Sequence, residues 1–292
     1  MSTKDKLITC VIYTVAFSAI SILLLITIFI FRKGAPLIFK IGIPNFIMNK
    51  TWAPLGSQYG IFSMIMGTIW ITAGAMIIGI PLGVSCSIYL VEYAPLIIRK
   101  ILKPIIELLA GIPSVVYGFI GVVMLAPFIR IHMGGPGLSV LAGSIILGIM
   151  ILPTIVGISI DTLQAVPNSY REGALALGAT KWQSIYKVVL PAARNGIIAS
   201  IILGMGRAIG ETMAVIMVTG NSANVPHSIL DPVRTLTSNI ALEMGYATGD
   251  HQQALFSTGI VLFIFIMIIN TNHLLKIYFY YLLYLPLQFF VL

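Results

Sequence analysis

Long apolar runs alternate with short polar segments along almost the whole chain. The first run, Leu7–Phe31, has 25 residues and no formal charge, and a helix needs about 20 such residues to cross a hydrocarbon core. No small-residue cleavage signature follows it, which predicts a retained helix. The pattern therefore predicts an all-α membrane protein with about six transmembrane helices, the others being Ile61–Val91, Leu108–Ile129, Leu138–Ile160, Ile197–Thr219 and Ala254–Asn272.

The composition agrees with a membrane environment. Hydrophobic residues make up 58% of the 292 residues and charged residues 9%, whereas a soluble domain carries about 25% charged residues. So few charges cannot form a water-facing surface. We therefore expect one membrane domain over residues 1–292, with its core at 61–272 and no attached soluble enzyme. Cys10 and Cys86 both lie in apolar runs, so the sequence predicts neither a disulfide nor a metal site.

The distribution of charge predicts the orientation in the membrane. The net charge is +8, but the basic residues are scattered singly and form no patch for nucleic acid. With the N-terminus in the cytoplasm, ten basic residues lie inside and six outside, as the positive-inside rule favours. The pair Arg32–Lys33 argues for the opposite orientation, while the acidic outer loop 220–253 supports a cytoplasmic N-terminus.

Three prolines interrupt apolar runs and are candidates for helix bends that line a pore. Pro81 and Pro153 lie inside such runs, and Gly111 and Ser114 flank Pro113. A proline frees a backbone carbonyl, which a bilayer tolerates only where protein or an aqueous cavity meets it. The alternative is that these helices are kinked for packing alone.

The segment 161–196 carries the strongest local signals. Ser169–Glu172 and Thr180–Gln183 have the spacing of capping boxes, and Gly178 suits the left-handed residue that closes a helix. We predict a first short helix from Asn168 or Ser169 to about Leu177 and a second that ends before Pro191. The corner between them carries apolar side chains and predicts a docking surface for a cytoplasmic partner, namely Leu175, Leu177, Trp182 and Ile185. The alternative is a structural clip that folds back on the membrane face.

This segment resembles the Glu-Ala-Ala loop of ABC importer permeases. Glu172-Gly173-Ala174, three residues, Gly178, and then Leu190-Pro191 follow the spacing of that motif, with Gly173 in place of the first alanine. The resemblance implies a type I ABC importer permease fold, in which the loop forms a coupling helix seated in a cleft of the ATPase subunit. It also implies the residues of the ATPase contact, namely Glu172, Gly173, Ala174, Gly178, Leu190 and Pro191.

Two charges lie inside the fifth apolar run. Arg207 and Glu211 are four residues apart and so would share one helical face. Either charge costs about 2.5–3.5 kcal/mol in a membrane span, so both should face the protein interior. We predict a translocation path in which Arg207 meets an anion, Glu211 balances or gates it, and Thr212 adjoins them. The alternative is a structural ion pair between helices.

Two further stretches resemble permeases of phosphate ABC transporters, Gly111–Phe119 and Gly206–Ala214. The continuation Met213-Ala214-Val215 is similar to PstC-type subunits. The resemblance implies ATP-driven translocation of inorganic phosphate across the prokaryotic plasma membrane. The implied partners are a PstA-like permease, a PstB-like ATPase dimer and an external PstS-like phosphate-binding protein. The chain has no Gly-x-x-x-x-Gly-Lys-Ser/Thr motif, so we expect no cofactor on this chain and no enzymatic activity of its own; ATP and Mg²⁺ are used by the partner.

Two other functions stay open at this point. The same architecture could carry another oxyanion, such as sulfate or molybdate, and a secondary carrier driven by an ion gradient is a further alternative. The segment 273–292 departs from the resemblance because it is rich in Tyr, Leu and Phe where a short basic tail is expected. It is either an interfacial aromatic segment or the product of a shifted reading frame.

Overall fold

The computed structural model describes residues 3–288, except for the side chains of residues 3–4, 6–7 and 272–288. Within these residues the regular secondary structure is helical apart from one short hairpin, and the longest loop, 219–235, joins α11 to α12. The helices are α1 Thr3–Ile41, α2 Ile43–Met48, α3 Phe62–Ile88, α4 Leu96–Gly111, α5 Ser114–Ile120, α6 Ala126–His132, α7 Val140–Ala165, α8 Asn168–Ala176, α9 Lys181–Ser184, α10 Leu190–Gly210, α11 Met213–Val218, α12 Leu236–Glu243 and α13 Gly249–Gln288.

Short irregular elements join several of these helices. The strands β1 (Trp52–Ala53) and β2 (Gln58–Tyr59) pair antiparallel around a 3₁₀ turn, Pro54–Gly56. Three π turns connect consecutive helices: one follows α3, one joins α5 to α6, and one joins α9 to α10, at Tyr89–Tyr93, Gly121–Leu125 and Ile185–Val189.

The six predicted membrane spans are confirmed. Among the described residues, six helical stretches are long and apolar enough to cross a membrane: Ile8–Ile41, Phe62–Tyr93, Ser114–His132, Val140–Ala165, Lys181–Gly210 and Gly249–Thr271. The side chains of the atypical tail 273–292 lie outside the described residues, so its interpretation stays a prediction.

Several predicted boundaries are wrong. The third span begins at Ser114 because Leu108 belongs to α4, which ends before Pro113. The fifth begins at Lys181, although the sequence predicted a helix end before Pro191. The π turn absorbs the interruption, and Pro191 then occupies the first turn of α10, where its missing N–H is not needed.

Helix α7 is the centre of the core and packs against α3 and α10. Gly83 of α3 lies so close to α7 that a Cβ there would be 2.7 Å from Cγ2 of Ile155. On another side of α7, the hydroxyls of Ser159 and Ser200 are hydrogen-bonded at 2.9 Å. Small residues thus bring the helices together, which is how membrane helices commonly associate.

Helix α1 packs on α13 along one side only. The Ser257 hydroxyl donates to the Gly34 carbonyl at 2.7 Å, and Phe29 and Phe256 meet edge to face with ring centroids 5.6 Å apart. None of the residues in the most apolar window of α1 is buried within the described chain. Lipid or another protein chain must therefore cover most of this helix.

A polar cluster around Glu243 joins the segments that connect the helices at one end of the bundle. Arg234 Nη1 donates to Glu243 Oε1 at 2.6 Å, while the Trp52 indole N–H donates to Oε2 at 2.9 Å and the His251 ring nitrogen lies 2.8 Å from the same oxygen. The carboxylate is buried, and it joins the hairpin, α12 and the start of α13.

Candidate functional site

The predicted fifth helix is broken at Glu211. Helix α10 ends at Gly210, and Glu211 has extended backbone angles, φ −68° and ψ 131°. The prediction that Arg207 and Glu211 share one face of a continuous helix is therefore wrong. The Glu211 carboxylate turns to the next helix instead, where its Oε1 accepts hydrogen bonds from the backbone N–H groups of Thr212 at 3.1 Å and Ala214 at 3.2 Å.

The backbone groups freed by this break find partners within the chain. The Thr212 hydroxyl donates to the Gly210 carbonyl at 3.2 Å. The Thr237 hydroxyl, from the first turn of α12, donates to the Glu211 carbonyl at 2.9 Å. Non-helical backbone at membrane depth is stable only with such partners, so α12 supports the break from outside the span.

Arg207 lies in the last turn of α10, just before the break. Its Nη1 donates to the hydroxyl of Thr154 on α7 at 3.2 Å. Within the described part of the chain, no carboxylate lies within the 4.0 Å that defines an ion pair with Arg207. The guanidinium has five N–H donors, so this half-buried cation keeps donors available for an anion.

A second interruption between helices lies next to the break at Glu211. Helix α4 ends at Gly111, Ile112 has an extended backbone, and α5 begins directly after Pro113. Gly118 of α5 is so close to α11 that a Cβ there would lie 3.1 Å from the Cα of Ala214. The two helices that follow the breaks are therefore packed directly on each other.

Tyr117 connects this second break to Arg207. Its hydroxyl donates to the carbonyl of Leu109 in the last turns of α4 at 2.9 Å, and its ring packs in the same buried cluster as Ala208, which follows Arg207 in α10. A Cβ placed on Gly111 would meet open space, as it would on Gly206 and Gly210. Both helix ends are thus open at these glycines, and two of them, Gly206 and Gly210, belong to the turn of α10 that carries Arg207.

The other candidate bend residues are placed differently. Pro153 is buried inside α7 and directly precedes Thr154, the hydrogen-bond partner of Arg207. Pro81 lies inside α3 and is exposed. Ser114 is the first residue of α5. Whether these residues line a transport path stays a prediction.

The predicted cytoplasmic corner is formed by α8, Gly178 and α9. Gly178 has φ +82°, which confirms its left-handed conformation. The capping box of α9 is also confirmed, because the Thr180 hydroxyl accepts from the Gln183 N–H at 3.3 Å and the Gln183 side chain accepts from the Thr180 N–H at 2.9 Å. The capping box at Ser169 is wrong: α8 begins directly after Pro167 and has no side-chain cap.

The corner exposes apolar side chains, with one exception. Leu177 is 90% exposed and Trp182 is 59% exposed, as expected for a docking surface. Ile185 is buried, because the π turn directs it into the protein; its place in the exposed corner was predicted wrongly. Leu175 is exposed as predicted.

The residues of the expected ATPase contact do not form one surface. Glu172 and Gly173 are exposed, whereas Ala174 is buried. Leu190 and Pro191 belong to the first turn of α10. Leu190 packs in a small cluster with Leu163 and Val189, so its side chain supports the corner from inside.

Sequence reasoning missed Thr154, Tyr117 and Thr237 at the break. Thr154 carried a detectable signal, since it is a hydroxyl next to a proline inside an apolar run. Thr237 carried none, because its contact with Glu211 joins residues 26 positions apart. Tyr117 contacts Leu109, which lies before it across the interruption at Pro113, and the apolar pattern does not indicate this hydrogen bond.

Comparison with known proteins agrees with this architecture. Residues 79–283 match the family described as binding-protein-dependent transport system inner membrane component. The chain is 43% identical over 256 residues to the probable ABC transporter permease protein YqgH of Bacillus subtilis, covering 84% of this chain and 83% of that protein. It is 37% identical over 240 residues to the phosphate transport system permease protein PstC of Xylella fastidiosa, covering 75% and 74%.

The fold also matches a solved structure. A chain of the bacterial alginate ABC transporter, crystallised in complex with an alginate pentasaccharide-bound periplasmic protein, superposes with a TM-score of 0.63 at 13% identity and covers 92% of this chain and 94% of that one. The expected type I ABC importer permease fold is therefore confirmed. The chain belongs to the family of binding-protein-dependent transport system inner membrane components, the permeases of ABC importers.

Proposed function

We propose that this chain is one permease subunit of an ATP-driven importer of inorganic phosphate. The observation that carries the proposal is Arg207. It is a cation in a membrane span, and within the described residues its side chain donates one hydrogen bond, to the neutral hydroxyl of Thr154. A charge in a membrane span costs about 2.5–3.5 kcal/mol, which a passing oxyanion would offset.

The chemistry of the guanidinium favours an oxyanion as cargo. Its planar set of donors matches the geometry of phosphate oxygens. Relatives such as the Xylella fastidiosa protein carry the name phosphate transport system permease protein PstC, and this supports phosphate as the oxyanion that this chain transports.

The proposal includes partners and an orientation. A PstA-like permease completes the pore, and a PstB-like ATPase dimer binds ATP and Mg²⁺ and docks on the corner around Gly178. A PstS-like protein delivers phosphate on the opposite side. The N-terminus and the corner face the cytoplasm of a prokaryotic cell, across its plasma membrane. The exposed side chains of Leu177 and Trp182 supply the apolar docking surface.

Uptake by the host cell tests this proposal. The gene is deleted, and uptake of labelled phosphate, sulfate and molybdate at micromolar concentration is compared with and without ATP depletion. We expect selective loss of ATP-dependent phosphate uptake, restored by the intact gene but not by Arg207→Ala. Loss of sulfate or molybdate uptake instead would mean that the importer carries that oxyanion and not phosphate. Phosphate uptake that survives ATP depletion while a proton gradient persists would favour a secondary carrier.

A further inference from the structure

Arg171 belongs to α8, in the corner formed by α8, Gly178 and α9, and its guanidinium donates four hydrogen bonds. Its Nε and Nη2 donate to Oε1 of Glu92 at 3.0 and 2.7 Å. Its Nη1 donates to the Val166 carbonyl at 2.8 Å, and Nη2 also donates to the Leu163 carbonyl at 2.9 Å. The Glu92 side chain is only 8% exposed and that of Arg171 19%. The guanidinium therefore ties α8, the end of α7 and Glu92 into one unit.

Glu92 belongs to the π turn that follows α3. The same turn is held a second time, from the other side of the corner, because Lys181 Nζ lies 4.6 Å from the centre of the Tyr93 ring. The two helices that flank Gly178 thus both contact this π turn, α8 through Arg171 and α9 through Lys181. Single π turns in α-helices are often found at functional sites.

Helix α4 connects this turn to the surroundings of Arg207. It begins directly after Pro95, and its Leu102 and Ile106 pack on the cluster formed by Leu90, Val156 and Ile160. Its last turns carry the carbonyl that accepts the Tyr117 hydroxyl, and Tyr117 packs in the same buried cluster as Ala208, the neighbour of Arg207 in α10. Packed and hydrogen-bonded residues therefore lead from the corner through α4 to the end of α10 that carries Arg207.

Net stabilisation does not explain the Arg171–Glu92 pair. A buried ion pair is often no better for stability than apolar side chains of the same volume, because both charges lose their water. The pair does specify geometry, since the planar guanidinium can hold one carboxylate and two carbonyls only in one arrangement. Such a pair is suited to fixing the position of α8 relative to α3 and α4.

We propose that the Arg171–Glu92 pair is the joint through which movement of the coupling corner reaches α4 and the site around Arg207. This inference rests on the proposed function, in which an ATPase docks on the corner. Arg171 and Glu92 are positioning residues, because neither touches the cargo. Breaking the joint should leave the ATPase bound and active while its cycle no longer reaches the transport site.

The first test compares transport with ATP hydrolysis in the same vesicles. The whole complex, purified with its partner subunits, is reconstituted with Glu92→Gln, Arg171→Gln or both. We expect phosphate moved per ATP hydrolysed to fall about tenfold in each single variant, and no further in the double variant, because the two residues act as one unit. Asp250→Asn, which removes the exposed Lys40–Asp250 pair at 2.6 Å, is the control and should leave the ratio unchanged. Equal losses of transport and hydrolysis, with an unchanged ratio, would mean that the pair is merely structural.

A second test does not depend on the cargo. Gly111→Cys is introduced at the end of α4, where a Cβ meets open space, in a chain without Cys10 and Cys86. Its rate of reaction with a soluble thiol reagent is measured with the ATPase empty and trapped with nucleotide and vanadate. We expect trapping to change the rate at least about fivefold, and Arg171→Gln to abolish the change. A change that persists with Arg171→Gln overturns the joint, whether or not the vesicles carry phosphate. Absence of phosphate uptake by the unmodified complex overturns only the cargo.

Discussion

The Arg207 guanidinium donates to the Thr154 hydroxyl over 3.2 Å, and this bond joins two membrane spans at the point where one of them breaks. Thr154 lies 11 residues before Ala165, the end of α7, or about 16 Å along the helix axis. The Arg207 guanidinium is therefore well inside the span, while α8, the first helix of the corner, begins just beyond Ala165.

Replacing Arg207 tests its role directly. We expect Arg207→Ala to lower phosphate uptake by about 10- to 100-fold, the equivalent of losing hydrogen bonds to a charged group. Thr154→Val, which keeps the shape and removes only the neutral partner, should have a smaller effect. Both variants should assemble normally, because no carboxylate of the described residues is paired with Arg207. If the complex fails to assemble with Arg207→Ala, the residue has a structural role.

Two glycines of the corner should respond in opposite ways. Gly178 has φ +82°, where a residue with a Cβ costs about 1–2 kcal/mol, so we expect Gly178→Val to uncouple the ATPase while membrane insertion stays intact. Gly173 lies in α8 with open space around its Cβ direction, and Gly173→Ala should be neutral or stabilising. Co-purification of the ATPase and uptake measure both effects. Normal docking and normal transport with Gly178→Val would contradict a docking role.

The glycine pairs Gly79/Gly83 and Gly206/Gly210 have the same spacing in the sequence but lie in different surroundings. A Cβ on Gly83 would lie 3.0 Å from Cβ of the buried Ile155, whereas one on Gly206 would meet open space. We therefore expect Gly83→Ala to reduce the stability of the chain by about 1–3 kcal/mol and Gly206→Ala to have little effect. Thermal unfolding in detergent measures the difference. Equal midpoints for the two variants would contradict the close contact of α3 with α7.

Two exposed leucines allow the orientation to be measured. Leu177 is 90% exposed at the corner, and Leu55 is fully exposed at the tip of the hairpin. In a chain without Cys10 and Cys86, we expect an impermeant thiol reagent outside the cell to label Leu55→Cys and not Leu177→Cys. Labelling of Leu177→Cys alone would mean that the N-terminus lies outside.

Asp231 predicts a response to acid in the loop between α11 and α12. The backbone N–H groups of His227 and Ser228 donate to its Oδ2 at 2.8 and 2.9 Å, and these bonds lower the pKa of the carboxyl group below its usual value. The stabilisation is complete above the unfolded pKa of about 4 and is lost as the pH falls through the lower folded pKa. We expect the protection of the Ser228 amide, measured as its exchange rate relative to the intrinsic rate at the same pH, to decrease below about pH 4, and Asp231→Asn to remove this decrease. Protection that stays constant through this pH range in the unmodified chain would contradict the prediction.

The sequence predicted the spans well because hydrophobic length is a property of each segment by itself. It also predicted Gly178 and the Thr180 capping box, which depend on residues close together in the chain. The break at Glu211 could not be predicted in this way. Its carbonyl is satisfied by Thr237, 26 residues away, so the same apolar run would be read as an unbroken helix.

Pro191 and Ile185 show a second limit. Proline rules place a helix end before Pro191, and the sequence analysis placed Ile185 among the exposed apolar side chains of the corner. The π turn Ile185–Val189 changes the phase of the helix and provides room for the proline. The energies that favour such a turn come from tertiary packing, which local propensities do not contain.

The Glu243 cluster also constrains the order in which the chain can be assembled. Trp52 is 191 positions before the carboxylate that accepts its indole N–H. Four further spans lie between these two residues, so the hairpin is synthesised long before its partner. A chain that stops before Glu243 leaves the Trp52 indole without its acceptor. The cluster is complete only when His251, at the start of the sixth span, has also been synthesised.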